Sequence, residues 1–134
     1  MTESANVDLV RSIYAAWESG DYGSVDWADR EIEWVFADGP EPARWQLTEI
    51  AQGWRKFLSA WQGFRITVEE LQELEDERVL VLTRYTGRGK TSGLDLGAFG
   101  ARGASIFDLR EGKVTRQAFY LDRARALADL GLTE

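Results

Sequence analysis

Four side chains far apart in the chain have the types needed to move a proton or hold a carbonyl oxygen: Tyr14, Asp108, Tyr120 and Asp122. A carboxylate buried against aromatic walls has its pKa raised and serves as acid or base near neutral pH, while a phenol beside it donates a hydrogen bond to a developing oxyanion. If Arg110-Glu111-Gly112 is a three-residue hairpin loop, strand alternation puts Asp108, Val114, Arg116, Ala118, Tyr120 and Asp122 on one sheet face. Phe107, Leu109, Thr115 and Phe119 then share the other. Parity thus groups two acids with a phenol. The competing reading leaves both acids in solvent, with Asp122 capping the last helix. Asp38 and Asp95 fall in loops that could rim the same mouth, although each alone reads as a turn residue.

The ligand for such a group is suggested by six Trp, four Tyr and six Phe in 134 residues. Tyr14, Trp17, Trp34, Phe36, Trp54, Phe57 and Trp61 fall on the inward stripes of two helices and a strand, where they either line one apolar pocket or fill the core. Arg84 and Tyr85, at the end of a later strand, complete the candidate binding residues. Other chemistries fail on residue type or spacing. Without cysteine or histidine there is no disulfide, thiolate, imidazole base or ordinary zinc or copper site. Gly89-Lys90-Thr91 imitates the end of a phosphate-binding loop, but Arg84 stands where the first glycine belongs and no helix follows. Gly87-Arg88-Gly89 lacks the third glycine of a dinucleotide fingerprint. The acids Glu73, Glu75, Asp76 and Glu77 read as a solvated turn rather than a calcium loop, and no serine elbow occurs. No metal or cofactor is expected.

The elements that must position these residues follow from periodicity. Asn6 can cap a helix carrying Val7, Val10, Ile13, Tyr14 and Trp17, with Gly20 as its left-handed stop. Asp21 can cap a second, shorter helix through Val25 and Trp27. Ile32, Trp34 and Phe36 then alternate as a strand that ends at Asp38-Gly39-Pro40-Glu41-Pro42. Thr48 can cap a third helix with Ile50, Trp54, Phe57, Leu58 and Trp61 on one face, closed by Gly63. Phe64, Ile66 and Val68 open a long strand with a bulge near Glu69-Glu70-Leu71, and Glu75-Asp76-Glu77 turns it into the strand Val79 to Tyr85. Gly87 to Gly103 reads as a flexible flap or a strongly bent strand pair. Ser105 to Leu109 and Val114 to Leu121 form the last hairpin, and Asp122 starts a short closing helix. The order predicts one α+β domain over 1–134, with helices laid on one face of a curved sheet.

Sixteen Lys and Arg against 23 Asp and Glu leave a net charge of −7, which repels phosphate backbones and anionic lipid heads. Neither nucleic acid nor a membrane is an expected partner. No run approaches the roughly 18 apolar residues of a membrane span, and the start has no secretory pattern, so a cytoplasmic protein is expected.

The chain resembles the nuclear transport factor 2-like superfamily, in its bacterial SnoaL-like branch, over its whole length. The resemblance rests on Tyr14-Ala15-Ala16-Trp17-Glu18-Ser19-Gly20-Asp21, Glu31-Ile32-Glu33-Trp34, Asp38-Gly39-Pro40, the segment Gly87 to Gly93, Arg110-Glu111-Gly112-Lys113-Val114, Tyr120-Leu121-Asp122-Arg123 and Gly131-Leu132. It implies a cone-shaped barrel of a strongly curved, mainly antiparallel sheet, with three helices from the N-terminal half on its concave face and a short C-terminal helix. It also implies a pocket between helices and sheet, and commonly a homodimer on the outer face. Members include ketosteroid isomerases, polyketide cyclases, dehydratases, epoxide hydrolases and binding domains, so fold alone selects no activity. By position, Asp122 matches the acid that ends the last strand of SnoaL-type cyclases, and their imidazole partner maps near Asp108. The tyrosine of ketosteroid isomerases lands on Ile13, beside Tyr14. Their base lands near Val35, three residues before Asp38, and their third acid near Ala104 or Ser105. An epoxide hydrolase relay would have to assemble Arg84 with Asp122. Two expectations follow. One is a cofactor-free isomerase, cyclase, dehydratase or hydrolase for a small apolar carbonyl or cyclic compound, with Asp122 as acid/base and Tyr120 or Tyr14 as donor. The other is a domain that binds a small apolar molecule, or a dimeric scaffold, without chemistry.

Overall fold

In the computed structural model, residues 5–21, 26–37, 43–75, 77–90, 93 and 102–131 are described. Helix α1, Ala5–Glu18, buries Val7, Val10, Ile13, Tyr14 and Trp17, the stripe expected from its spacing. It stops as glycine dictates. Gly20 takes φ 95°, its N–H donates to the Trp17 carbonyl at 2.9 Å, and the Asp21 N–H reaches back to Ala16 at 2.8 Å, the paired bonds of a Schellman cap. The candidate second helix has residues 22–25 outside the described ones. Asp26 and Trp27 form a turn into strand β1, Ala28–Phe36.

A short strand that sequence periodicity does not reveal comes next: β2, Ala43–Trp45, lies antiparallel to β1 with Trp45 opposite Trp34. Helix α2, Leu47–Ser59, therefore starts one residue before the expected cap Thr48. Gln46 caps it instead, donating its N–H to the Glu49 carboxylate at 2.9 Å while its carbonyl accepts the Glu49 N–H at 2.8 Å. Trp61 belongs not to that helix but to strand β3, Trp61–Leu74. Gly63, at φ 66°, sits at a register shift in β3 rather than closing the helix. The bulge expected near Glu69 is present between Val68 and Glu70.

Strands β4, Arg78–Gly89, β5, Arg102–Arg110, and β6, Lys113–Tyr120, complete a sheet of order β2-β1-β6-β5-β4-β3. The pairing is antiparallel except between β1 and β6. This is the expected α+β architecture, an open cone with β2 and β3 at its edges. Of the glycine-rich segment, β4 runs on through Gly89 and β5 starts at Arg102, while 94–101, with Asp95, lie outside the described residues, as does Asp38.

The last hairpin differs from expectation in detail. Arg110 pairs with Lys113, so its turn is the two residues Glu111 and Gly112, at φ 51° and 77°, a type I′ turn whose twist suits the strands. The extra residue is Thr115, bulged between the pairs Leu109–Val114 and Asp108–Arg116. Parity from Arg116 onward is as expected, but Val114 moves to the face of Phe107.

The two faces of the sheet carry separate cores. On one, α1 and α2 cover Trp34, Phe36, Ile66, Val79, Val81, Tyr85, Phe107 and Phe119. On the other, helix α3, Arg123–Asp129, covers Leu80, Ala104, Ile106, Ala118 and Tyr120 with Ala126 and Leu127. The closing helix therefore lies across the sheet from its two larger companions. Among the described residues, no helix is long and apolar enough to cross a membrane.

Candidate functional site

The face under α1 and α2 is built from rings. Trp34, fully buried at the centre of β1, lies 5.3 Å from Trp54 of α2, 5.8 Å from Trp17 of α1 and 5.8 Å from Trp45 of β2, centroid to centroid. Phe36 and Phe119 continue the cluster at 5.1 Å, and Tyr85 stacks between Phe119 and Phe64 at 5.6 and 5.8 Å. Tyr14 meets Trp17 edge-on at 4.8 Å and Phe107 at 5.9 Å. Six of the sequence candidates, Tyr14, Trp17, Trp34, Phe36, Trp54 and Tyr85, thus share one contiguous cluster, and Trp61 joins its rim through Phe64 at 6.2 Å. The Phe57 side chain lies outside the described residues.

Set into these rings are polar atoms whose hydrogen-bonding capacity is unused. The Tyr14 hydroxyl, the Trp34 Nε1–H, the Thr83 hydroxyl and the Gln117 Oε1 are buried with no hydrogen-bond partner among the described residues. Register places two of them side by side, while Thr83 stands opposite Gly103 farther along β5. Gln117 stands opposite Trp34 on β1 and Phe107 on β5, and Ser105 stands opposite Phe119. The Gln117 amide donates to the Ser105 hydroxyl across a long 3.5 Å. Burial pushes the Tyr14 phenol well above its ordinary pKa; the Ser105 hydroxyl beside it pulls the other way but does not stand in hydrogen-bonding geometry, so Tyr14 stays protonated. Each such buried group without a partner costs about 1–3 kcal/mol unless a water or ligand satisfies it. Gln117, Ser105 and Thr83 are absent from the sequence candidates. Their signal was parity, with Phe107 and Phe119 for Ser105 and Gln117 and with Val81 and Tyr85 for Thr83, which puts polar side chains on an otherwise apolar face.

The predicted acids do not join them. Asp108 and Tyr120 share a face as parity required, but it is the face under α3, away from the aromatic walls. Desolvation raises the Asp108 pKa against the opposing pull of Arg116 and Arg78. Asp122 is exposed and caps α3, its Oδ1 accepting the Ala124 N–H at 3.0 Å, as the competing reading held. Arg84 points into a surface ion network, 3.1 Å from Glu69. Glu69 is also bound by Arg123, which donates further to the Thr83 carbonyl at 2.7 Å and the Gly103 carbonyl at 3.2 Å, tying α3 to three strands. Of the four proton-moving candidates, Tyr14 lies on the ring face, and Asp108, Tyr120 and Asp122 lie off it. Among the described residues, no three acids gather as a metal site.

Tyr120 donates to Asp129 Oδ2 at 2.7 Å, and burial together with that carboxylate raises its pKa to about 12. A folded-state pKa above the unfolded value stabilises the native state below the unfolded pKa and is lost as pH rises through the folded one. Stability is thus expected to fall between pH 10 and about 12, and chemical denaturation over that range should show a shallower loss in Tyr120→Phe. An identical slope in both proteins would refute this role.

The order of helices and strands, their register and the ring face can be set against known proteins. Residues 10–117 match the family described as the SnoaL-like domain. The chain belongs to this family. Solved structures share the fold at low identity. The SnoaL-like chain superposes with a TM-score of 0.76 on an NTF2-like protein from Burkholderia thailandensis, at 22% identity over 87% of this chain and 90% of that one. A putative polyketide cyclase from Xanthomonas campestris pv. campestris gives 0.62 at 19% identity, over 92% and 95%. A hypothetical protein with a ketosteroid isomerase-like fold from Catenulispora acidiphila, solved with trimethylamine, gives 0.66 at 19%, over 93% and 93%. No curated protein matches this SnoaL-like chain.

Proposed function

We propose that this SnoaL-like protein binds a small, neutral, planar molecule between α1, α2 and the sheet, one that carries both an acceptor oxygen and a hydroxyl. The observation that carries this reading is the set of buried polar atoms without partners on one aromatic face. Trp34 Nε1–H can only donate, Gln117 Oε1 can only accept, and the Tyr14 and Thr83 hydroxyls can do either. A hydroxy-carbonyl compound matches that inventory, and ring walls favour a flat one. The buried polar side chains among the described residues are Thr83, Ser105 and Gln117, all uncharged, which argues for a neutral ligand. The Catenulispora neighbour with trimethylamine is a fold of this kind accompanied by a small molecule.

Binding is favoured over carboxylate acid/base turnover because Asp108 and Asp122 lie away from this face. Tyr14 contributes as the donor that polarises the bound carbonyl. The test is titration of 7-hydroxycoumarin near pH 6 against naphthalene, followed by fluorescence and calorimetry. The coumarin should bind and naphthalene should not match it. Tyr14→Phe should weaken the coumarin about tenfold, the worth of one hydrogen bond, without lowering the melting temperature. Equal affinity for both probes, or no change in Tyr14→Phe, would remove the reading.

A further inference from the structure

The interior rings are nearly all sealed, with Trp17 at 2% and Trp34 and Trp54 at 0% exposure. Trp45 is different. It is half-buried, yet its indole stacks on Trp34 at 5.8 Å, meets Phe36 edge-on at 4.8 Å and reaches Trp54 at 6.5 Å. It is carried by the three-residue edge strand β2, whose ladder contacts among the described residues are to β1.

Open clefts flank the indole. One, of about 420 Å³, runs along Arg30, Glu31, Ile32, Glu33 and Arg44; the other, of about 480 Å³, runs along the outer side of α2 past Glu49, Gln52, Gly53 and Lys56; Trp45 lines both. Beneath the indole is Gly53, a glycine inside a helix, where it costs about 1 kcal/mol relative to alanine. The reason is steric: a Cβ at Gly53 would overlap three atoms of the Trp45 ring. The helix gives up propensity to seat one side chain flat on its backbone.

We infer that Trp45 is the door of the interior: its indole, seated on Gly53, separates solvent from Trp34 and Trp54, and its rotation joins the two clefts to the ring face. This rests on the interior being a binding site, which it deepens by naming the way in. A single planar ring swings out, so the opening it leaves is a slot with the thickness and area of an indole. That shape admits flat molecules and excludes bulky ones. Trp45 is a gating residue and makes no hydrogen bond to the ligand.

The decisive readout needs no ligand. Acrylamide quenching of tryptophan emission is measured for the native chain, Trp45→Phe, Gly53→Ala and, as a control that also removes one indole of the cluster, Trp27→Phe. Were Trp45 merely an exposed ring, its replacement would take away a readily quenched indole and lower the quenching constant. As a door it has the opposite sign. Trp45→Phe is expected to raise the constant at least threefold by exposing Trp34 and Trp54, Gly53→Ala to raise it by pushing the indole off its seat, and Trp27→Phe to leave it within a third of native.

Far-UV circular dichroism checks that each variant is folded, and Trp45→Phe carries the test if Gly53→Ala is not. A fall or no change in the constant for Trp45→Phe overturns the inference, as does a rise of equal size in Trp27→Phe. Stopped-flow mixing with 7-hydroxycoumarin supplies the second arm: association and dissociation should both accelerate about tenfold in Trp45→Phe, with Kd within twofold of native. Unchanged association would overturn the door. Failure of the native chain to bind the coumarin would count against the interior site, while the quenching constants would still decide the door.

Discussion

Trp34→Ala is expected to cost about 4 kcal/mol of folding stability, within the range for deleting a buried tryptophan. Trp34 has no exposed surface and touches rings from four directions: Trp17 of α1, Trp54 of α2, Trp45 of β2 and Phe119 of β6. Truncation removes the apolar burial and leaves a void bounded by stiff rings that cannot collapse into it. Since domains of this size are stable by about 5–15 kcal/mol, urea unfolding should show a large drop in midpoint at unchanged slope. Trp34→Phe should cost much less, because it keeps a ring in place and removes the buried N–H that has no partner. A loss below about 2 kcal/mol for the alanine variant would mean that the neighbouring rings relax into the space Trp34 leaves.

Gly103→Ala should be the second severe change, at about 3 kcal/mol, although it adds one methyl group. A Cβ there would overlap the Tyr85 ring edge, the Tyr85 hydroxyl and the Tyr120 carbonyl. That carbonyl is backbone, at the last residue of the interior strand β6, and cannot swing away as a side chain does. It also accepts the buried Tyr85 hydroxyl at 2.8 Å, so relief of the overlap breaks a hydrogen bond as well. Thermal melting of Gly103→Ala beside Tyr85→Phe separates these parts: the phenylalanine variant loses the bond alone and should be the milder. Near-native melting of Gly103→Ala would show that β5 shifts freely against β4. Gly53 makes the instructive contrast, since there the obstructing atoms belong to one half-buried side chain.

Much of the fold was legible because its signals are local. The stripe Val7, Val10, Ile13, Tyr14 and Trp17, the stop at Gly20, the alternation of Ile32, Trp34 and Phe36, and the bulge after Val68 each need only a few neighbouring residues. Strand β2 was not legible, since three residues between the segment that holds both prolines and a helix carry no period. Gly63 looked like a helix stop because a positive φ serves a cap and a bulge equally well. The grouping of Asp108 with Tyr120 survived a wrong turn length because the extra residue moved from the loop to Thr115 without changing the count.

Residue types and their spacing by themselves determined that this is an acidic α+β domain without thiol or imidazole chemistry, that Asp108, Arg116 and Tyr120 share a face, and that Tyr14 and Trp17 point inward. Only the tertiary structure decided which face the two large helices cover. Strand β5 is buried from Gly103 through Phe107 without a break, so its alternation distinguishes two faces but gives neither to solvent. The choice comes from long-range packing, the parallel docking of β1 on β6 that sets Trp34 beside Gln117 and leaves Ala118 and Tyr120 to α3. A pattern with a period of two residues records that two sides exist; which side receives the helices is settled by how the whole chain closes on itself.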